Sequence, residues 1–164
     1  MATNATFSNN ISGNGAVHVT NGLAVFTGSN TYSGITTINS GTELRIGDGG
    51  TAGTLGTGNV VNNGHLVFNR ADTITAANNI SGTGELVQDG NGTTILTGAN
   101  TYGATSINGG GTLQIGNGGT TGTLGTGNVF ISSGNLAFNR SDTITIANDI
   151  SGGGGLNQIG TGTT

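Results

Sequence analysis

FNRADTITAANNISGTGEL, from Phe68 to Leu86, is answered seventy residues later by FNRSDTITIANDISGGGGL, from Phe138 to Leu156. The two stretches agree at 14 of 19 positions. A chain that says nearly the same thing twice at a fixed distance is a repeat protein, and the repeat governs the fold. The match extends beyond the quoted stretches. Ile11, Ile80 and Ile150 each open an ISGxG segment. Asn30-Thr31-Tyr32 returns as Asn100-Thr101-Tyr102, and GTLGTGNV stands at 53–60 and again at 122–129. Residues 11–79 form one unit, 80–149 a second, and 150–164 begin a third, within one domain expected to span 1–164.

Inside a unit the apolar residues follow a period of two. Ile144 and Ile146 share one face of DTITIAND, with Thr143 and Thr145 on the other. Leu44 and Ile46, Leu66 and Phe68, Leu113 and Ile115, and Leu136 and Phe138 repeat that spacing. Phe26 and Leu96 are placed inward on the same grounds, and Val129 pairs with Ile131. No stretch has a 3.6-residue period, so the expectation is all-β with almost no helix. The strands are short, about four to six residues, and end at Gly, Asn, Asp or Ser. Such strands are unstable alone, but the same types return in the same order. That is the pattern of a solenoid whose coils stack over one continuous interior. Seventy residues divide into three coils of about 23 residues, each with three short strands, giving about seven coils and a rod roughly 33 Å tall.

On this reading Arg70 and Arg140 sit three coils apart on the same side of the rod. Arg70 with Asp72, and Arg140 with Asp142, then form turn clamps at the surface, worth at most about 1 kcal/mol each. Gly and Asn suit corners because they tolerate positive φ best. Asn at matching corners is expected to stack into hydrogen-bonded ladders.

Composition removes several function classes. The chain holds 35 Gly, 29 Thr and 22 Asn among 164 residues, no Cys, no Pro and no Lys. Its three Arg are scattered and its net charge is -4, so no basic patch exists for nucleic acid. No apolar run approaches the ~20 residues of a membrane span. Without Cys there are no disulfides and no thiolate chemistry. MATNATFSNN has neither a basic start nor an apolar stretch, so no signal peptide is expected in this chain.

The stretch ISGTGELVQDGNGTTILTGANTYGATSINGGGTLQIGNGG resembles the passenger-associated repeat of bacterial autotransporters. The resemblance rests on Leu96, Gly98, Asn100-Thr101-Tyr102, Gly111-Thr112-Leu113 and Gly116 in one unit. In the other it rests on Phe26, Gly28, Asn30-Thr31-Tyr32 and Gly34-Ile35-Thr36, with Gly41, Thr42 and Leu44 in place of the GTL motif. It implies a right-handed parallel β-helix, exported and displayed at the cell surface, in which the repeats serve as stalk and scaffold. The family's signal peptide and C-terminal membrane barrel are not seen in this chain.

The acids are Glu43, Asp48, Asp72, Glu85, Asp89, Asp142 and Asp149. Only Glu85 and Asp89 fall close together, and neither recurs in the next unit, so catalysis is not expected. His18 and His65 read as exposed strand residues. One Asp48 is no calcium ladder, and the Gly-rich stretches lack the Lys of a phosphate loop. No cofactor or metal is expected. Tyr32 and Tyr102 could stack on sugars or cap the coil edge. The expected function is a non-enzymatic extracellular scaffold. Its partner is a second copy of itself, stacked head to tail through uncapped ends. The competing readings are a glycan-binding adhesin segment and a polysaccharide-cleaving β-helix.

Overall fold

The computed structural model of the chain describes residues 4–164. Residues 1–3 of the expected 1–164 domain lie outside the described part. Seventeen strands and no helix make up the described residues. In chain order the first six are β1 (Ala5–Phe7), β2 (Val17–Val19), β3 (Leu23–Phe26), β4 (Thr36–Ile38), β5 (Glu43–Ile46) and β6 (Val60–Asn62). Then come β7 (His65–Phe68), β8 (Thr73–Ala76), β9 (Ile80–Ser81), β10 (Glu85–Gln88), β11 (Thr93–Leu96) and β12 (Thr105–Ile107). The last are β13 (Thr112–Ile115), β14 (Val129–Ile131), β15 (Asn135–Phe138), β16 (Ile150–Gly152) and β17 (Gly155–Gln158).

Every strand pairing is parallel, and each strand stacks on one from the next coil. An eight-stranded sheet runs β1-β3-β5-β7-β10-β12-β14-β16. A five-stranded sheet runs β17-β15-β13-β11-β8, and a four-stranded sheet β2-β4-β6-β9. The protein is a three-faced β-solenoid of eight rungs, about 34 Å from first rung to last.

Two expectations are corrected here. Register partners in the long sheet lie 19 to 24 residues apart, from Leu86↔Thr105 to Thr105↔Val129, so a coil holds about 21 residues and not 23. The strands have two to four residues, shorter than expected, because each face with its corner receives only about seven. Consequently seventy residues cross ten faces, which is three coils and a third. Equivalent segments therefore rotate onto a neighbouring face. β7 lies in the long sheet, while its copy β15 lies in the five-stranded sheet. Arg70 and Arg140 follow these strands and stand at different corners, not on one side of the rod.

The period-two pattern points alternate side chains inward. Leu44, Leu66 and Leu86 stack on one another in register, and all are fully buried. Beside them Ile46 stacks on Phe68. On the five-stranded face Leu113 lies against Leu136, and Ile115 against Phe138. Each such side chain gains roughly 1.5–3 kcal/mol from burial. Ile144 and Ile146 differ from the rest of the expected core: they are half-buried and pack against it from the side, because little chain covers them from above. At the two ends of the rod the interior is open. Phe7 is 44% exposed at one end, and Leu156 and Ile159 are 57% and 56% exposed at the other.

Candidate functional site

The recurring motifs become vertical neighbours at one corner of each unit. Asn30 Oδ1 accepts from the backbone N–H of Ile11 in the coil below at 2.9 Å, and Asn30 Nδ2 donates to the Thr54 carbonyl in the coil above at 2.7 Å. Asn100 does the same with Ile80 at 3.0 Å and Thr123 at 2.8 Å. Thus ISGxG lies beneath NTY, and NTY beneath GTLGTG. The asparagines do not form the expected amide ladder at these corners. Each spends its amide on backbone groups of adjacent coils, where corner geometry leaves N–H and C=O groups without strand partners.

Tyr32 and Tyr102 project into the rod and are 1% and 0% exposed. This removes both earlier readings of them, the sugar platform and the edge cap. Tyr32 Oη and Thr36 Oγ1 are hydrogen-bonded at 2.7 Å, and Thr105 Oγ1 donates to Tyr102 Oη at 3.2 Å. Burial pushes the Tyr102 phenol up to about 12. Sequence reasoning missed this pair. The signal was the glycine one coil after each tyrosine, Gly56 and Gly125, over which the ring lies.

The next coil carries the Arg–Asp pairs. Arg70 Nε donates to Asp72 Oδ1 at 2.8 Å and Nη2 to Oδ2 at 2.7 Å, a two-pronged contact. Nη2 also donates to the Thr51 carbonyl at 2.6 Å, and Nη1 to the Gly53 carbonyl. Arg140 repeats the set with Asp142 at 2.8 and 2.6 Å, and with the carbonyls of Thr120 and Gly122. The guanidinium side chains are only 9% and 8% exposed, so these are not the surface clamps expected. They tie the coil to the one below. Hydrogen bonding from the arginine holds the carboxyls of Asp72 and Asp142 below the usual carboxylate range. Gly47 lies under Arg70 at φ +83°, where a Cβ would come 2.7 Å from Arg70 Cγ.

Between these coils the backbone ladder is broken. Among the described residues, no backbone hydrogen bond joins 54–58 to 73–77, or 123–127 to 143–147. Side chains span the break instead: the arginine at one end and an asparagine at the other. Asn78 Nδ2 donates to the carbonyls of Gly56 at 2.8 Å and Gly58 at 2.6 Å, and Asn148 to those of Gly125 at 2.9 Å and Gly127 at 2.6 Å. A cleft of about 370 Å³ opens along the first break and one of about 440 Å³ along the second. Leu55, Ile74 and Thr75 line the first. Leu124, Ile144 and Thr145 stand in the same places in the second.

A second, unrepeated group lies on the outer surface of the long sheet. Glu43, His65 and Glu85 are adjacent in register. Arg45 bridges Glu43 at 2.8 Å and Asp89 at 3.9 Å. His65 Nδ1 is 3.2 Å from Glu85 Oε2, and Ser106 Oγ donates to Glu85 Oε1. The carboxylate stands between serine and imidazole, whereas a nucleophilic triad needs the imidazole in the middle. His18 is exposed on β2, and Asp48 lies in the corner loop that follows β5. No group of three or more metal-ligating side chains forms among the described residues.

The structure thus belongs to the class of parallel β-solenoid repeat proteins. The family described as passenger-associated-transport-repeat matches residues 21–42 and 86–115. Those segments hold the two NTY corners and the strands on either side, so the chain carries this autotransporter passenger repeat twice. No curated protein and no solved structure matches the chain. No helix among the described residues is long and apolar enough to cross a membrane.

Proposed function

We propose that the chain is a non-enzymatic, extracellular structural β-helix of the autotransporter-passenger type, and that it associates with itself end to end. The observation that carries the second half is the chemistry of the two ends. The first ten charged side chains counted from the N-terminus are all the chain has, and they fall between Glu43 and Asp149. Residues 4–42 and 150–164 hold none. Solenoids that stay single protect their open edges with charge or a cap. Here uncharged strand edges and the apolar side chains Phe7, Leu156 and Ile159 face outward together. The strands also enter and leave in the same direction, so a second copy continues the rod. The repeat match supports display at the surface or secretion.

Sedimentation velocity over a concentration series, with negative-stain images of the same samples, tests this reading. Growth into rods longer than one chain supports it, and Leu156→Asp with Ile159→Asp should stop that growth. Single short rods at every concentration overturn the self-association.

A further inference from the structure

The two ladder breaks leave a free strand edge in the middle of the rod, far from its ends. β8 is the terminal strand of the five-stranded sheet. The Asp72 and Ala76 carbonyls accept from Thr93 and Thr97 in the coil above. Residues of a strand alternate in direction, so the N–H and C=O groups of Thr73, Thr75 and Ala77 point the other way, into the cleft. None of them has a backbone partner among the described residues. In the second unit Ile144 N–H donates to Thr163 above, which turns Thr143, Thr145 and Ala147 toward the second cleft.

We propose that each cleft is a docking slot for an extended, uncharged peptide strand, which adds to the free edge at 73–77 and again at 143–147. Main-chain pairing to an exposed edge is a general mode of peptide recognition, with side-chain pockets supplying the preference. Three observations on these clefts favour that occupant. The edge displays both donors and acceptors at strand spacing, which a peptide backbone matches and a compact ligand does not. The charge is complementary to a neutral strand: no ionised side chain lines the first cleft, and the Arg140 guanidinium at the second is already engaged by Asp142 and two carbonyls. The added strand also continues an existing sheet, with Leu55 and Ile74 or Leu124 and Ile144 offering apolar contact behind it. The arginine and asparagine staples hold the two walls apart at both ends, so the slot exists before a ligand arrives. This inference does not depend on end-to-end association.

The probe is a capped peptide copying residues 92–98 of this chain, GTTILTG, whose own strand already pairs with the other edge of β8. Titrated into the full chain with hydrogen-exchange readout, it should slow exchange at Thr75, Ala77, Thr145 and Ala147 and saturate at two peptides per chain. Two N-methylated versions, blocked at alternate residues in opposite phases, should separate. The phase that removes the ladder donors should bind about a hundredfold more weakly, as the loss of roughly three strand hydrogen bonds implies. The other phase should bind nearly as the parent. Thr75→Pro should reduce the stoichiometry to one, since the Thr75 N–H serves no partner in the rod. If that variant fails to fold, the peptide pair still decides. Equal binding of both phases, protection confined to β1, β16 or β17 at the ends, or no saturable protection overturns the proposal.

Discussion

Gly56 sits over the ring of Tyr32 from the coil below, so closely that a Cβ there would lie 2.6 Å from both Cδ2 and Cε2. Gly125 bears the same relation to Tyr102. The glycine of one motif is the seat of the tyrosine of another. Gly56→Ala should therefore cost about 1–3 kcal/mol through overpacking alone, since no positive φ is printed for this residue. Urea unfolding monitored by circular dichroism measures it. Gly56→Ala combined with Tyr32→Leu should recover part of the loss, and a purely additive double variant would contradict the contact.

Two other glycines separate conformation from packing. Gly41 and Gly47 both have positive φ, +75° and +83°. A Cβ at Gly41 meets nothing within 4 Å, whereas at Gly47 it would lie 2.5 Å from the Asn69 carbonyl oxygen and 2.7 Å from Arg70 Cγ. Gly41→Ala should cost about 1 kcal/mol, the usual penalty of the left-handed region. Gly47→Ala should cost at least twice as much, because it also displaces the arginine. Equal unfolding midpoints for the two variants would contradict this.

Arg70 and Arg140 bind backbone carbonyls as well as a carboxylate, so a lysine cannot replace them. Arg70→Lys should lose the two-pronged contact and leave at least one carbonyl without a donor, destabilising by about 1–3 kcal/mol. Arg70→Gln should cost at least as much. Thermal melts of both, compared with the same changes at Arg140, check the prediction. A result within error of the parent would return these pairs to ordinary surface ion pairs.

Acid should loosen the same corners. Asp72 and Asp142 have folded values below the ordinary 3.8. A depressed folded value contributes stability that is present above the unfolded value and lost as pH falls through the folded one. The urea midpoint should therefore drop below about pH 4, and the drop should shrink in the double variant Arg70→Gln/Arg140→Gln. An unchanged acid profile in that variant would assign the loss to other carboxylates.

At the alkaline end the sign is reversed. The Tyr102 phenol stands at about 12 when folded, above its ordinary 10. Its contribution is complete below pH 10 and is lost as pH rises from 10 toward 12. Absorbance titration of the phenolate in Tyr32→Phe should show no ionisation near pH 10 while the chain stays folded. A transition near pH 10 in the folded protein would mean an open corner.

How far the sequence speaks can be judged at particular residues. Alternation places Leu66 and Phe68 inward because a strand has only two sides, and both are fully buried. Arg70 and Asp72 are close in sequence, and a two-residue spacing is enough to bring their side chains together. Burial of that arginine was not legible, since it depends on Thr51 and Gly53, which the chain brings beneath it only after a full coil. Tyr32 was misread for a similar reason: Gly56 lies one coil away, and the coil is shorter than one third of the repeat.

The sequence by itself determined the strand pattern, the absence of helix, the repeat and its kinship with passenger-associated repeats, because these follow from local periodicity and motif spacing. The tertiary structure alone decided which face each copy occupies, where the ladder breaks, and which polar side chains close the corners. The physical reason is the coil length. About 21 residues per coil do not divide seventy evenly, so equivalent residues turn onto a new face and meet different neighbours above and below.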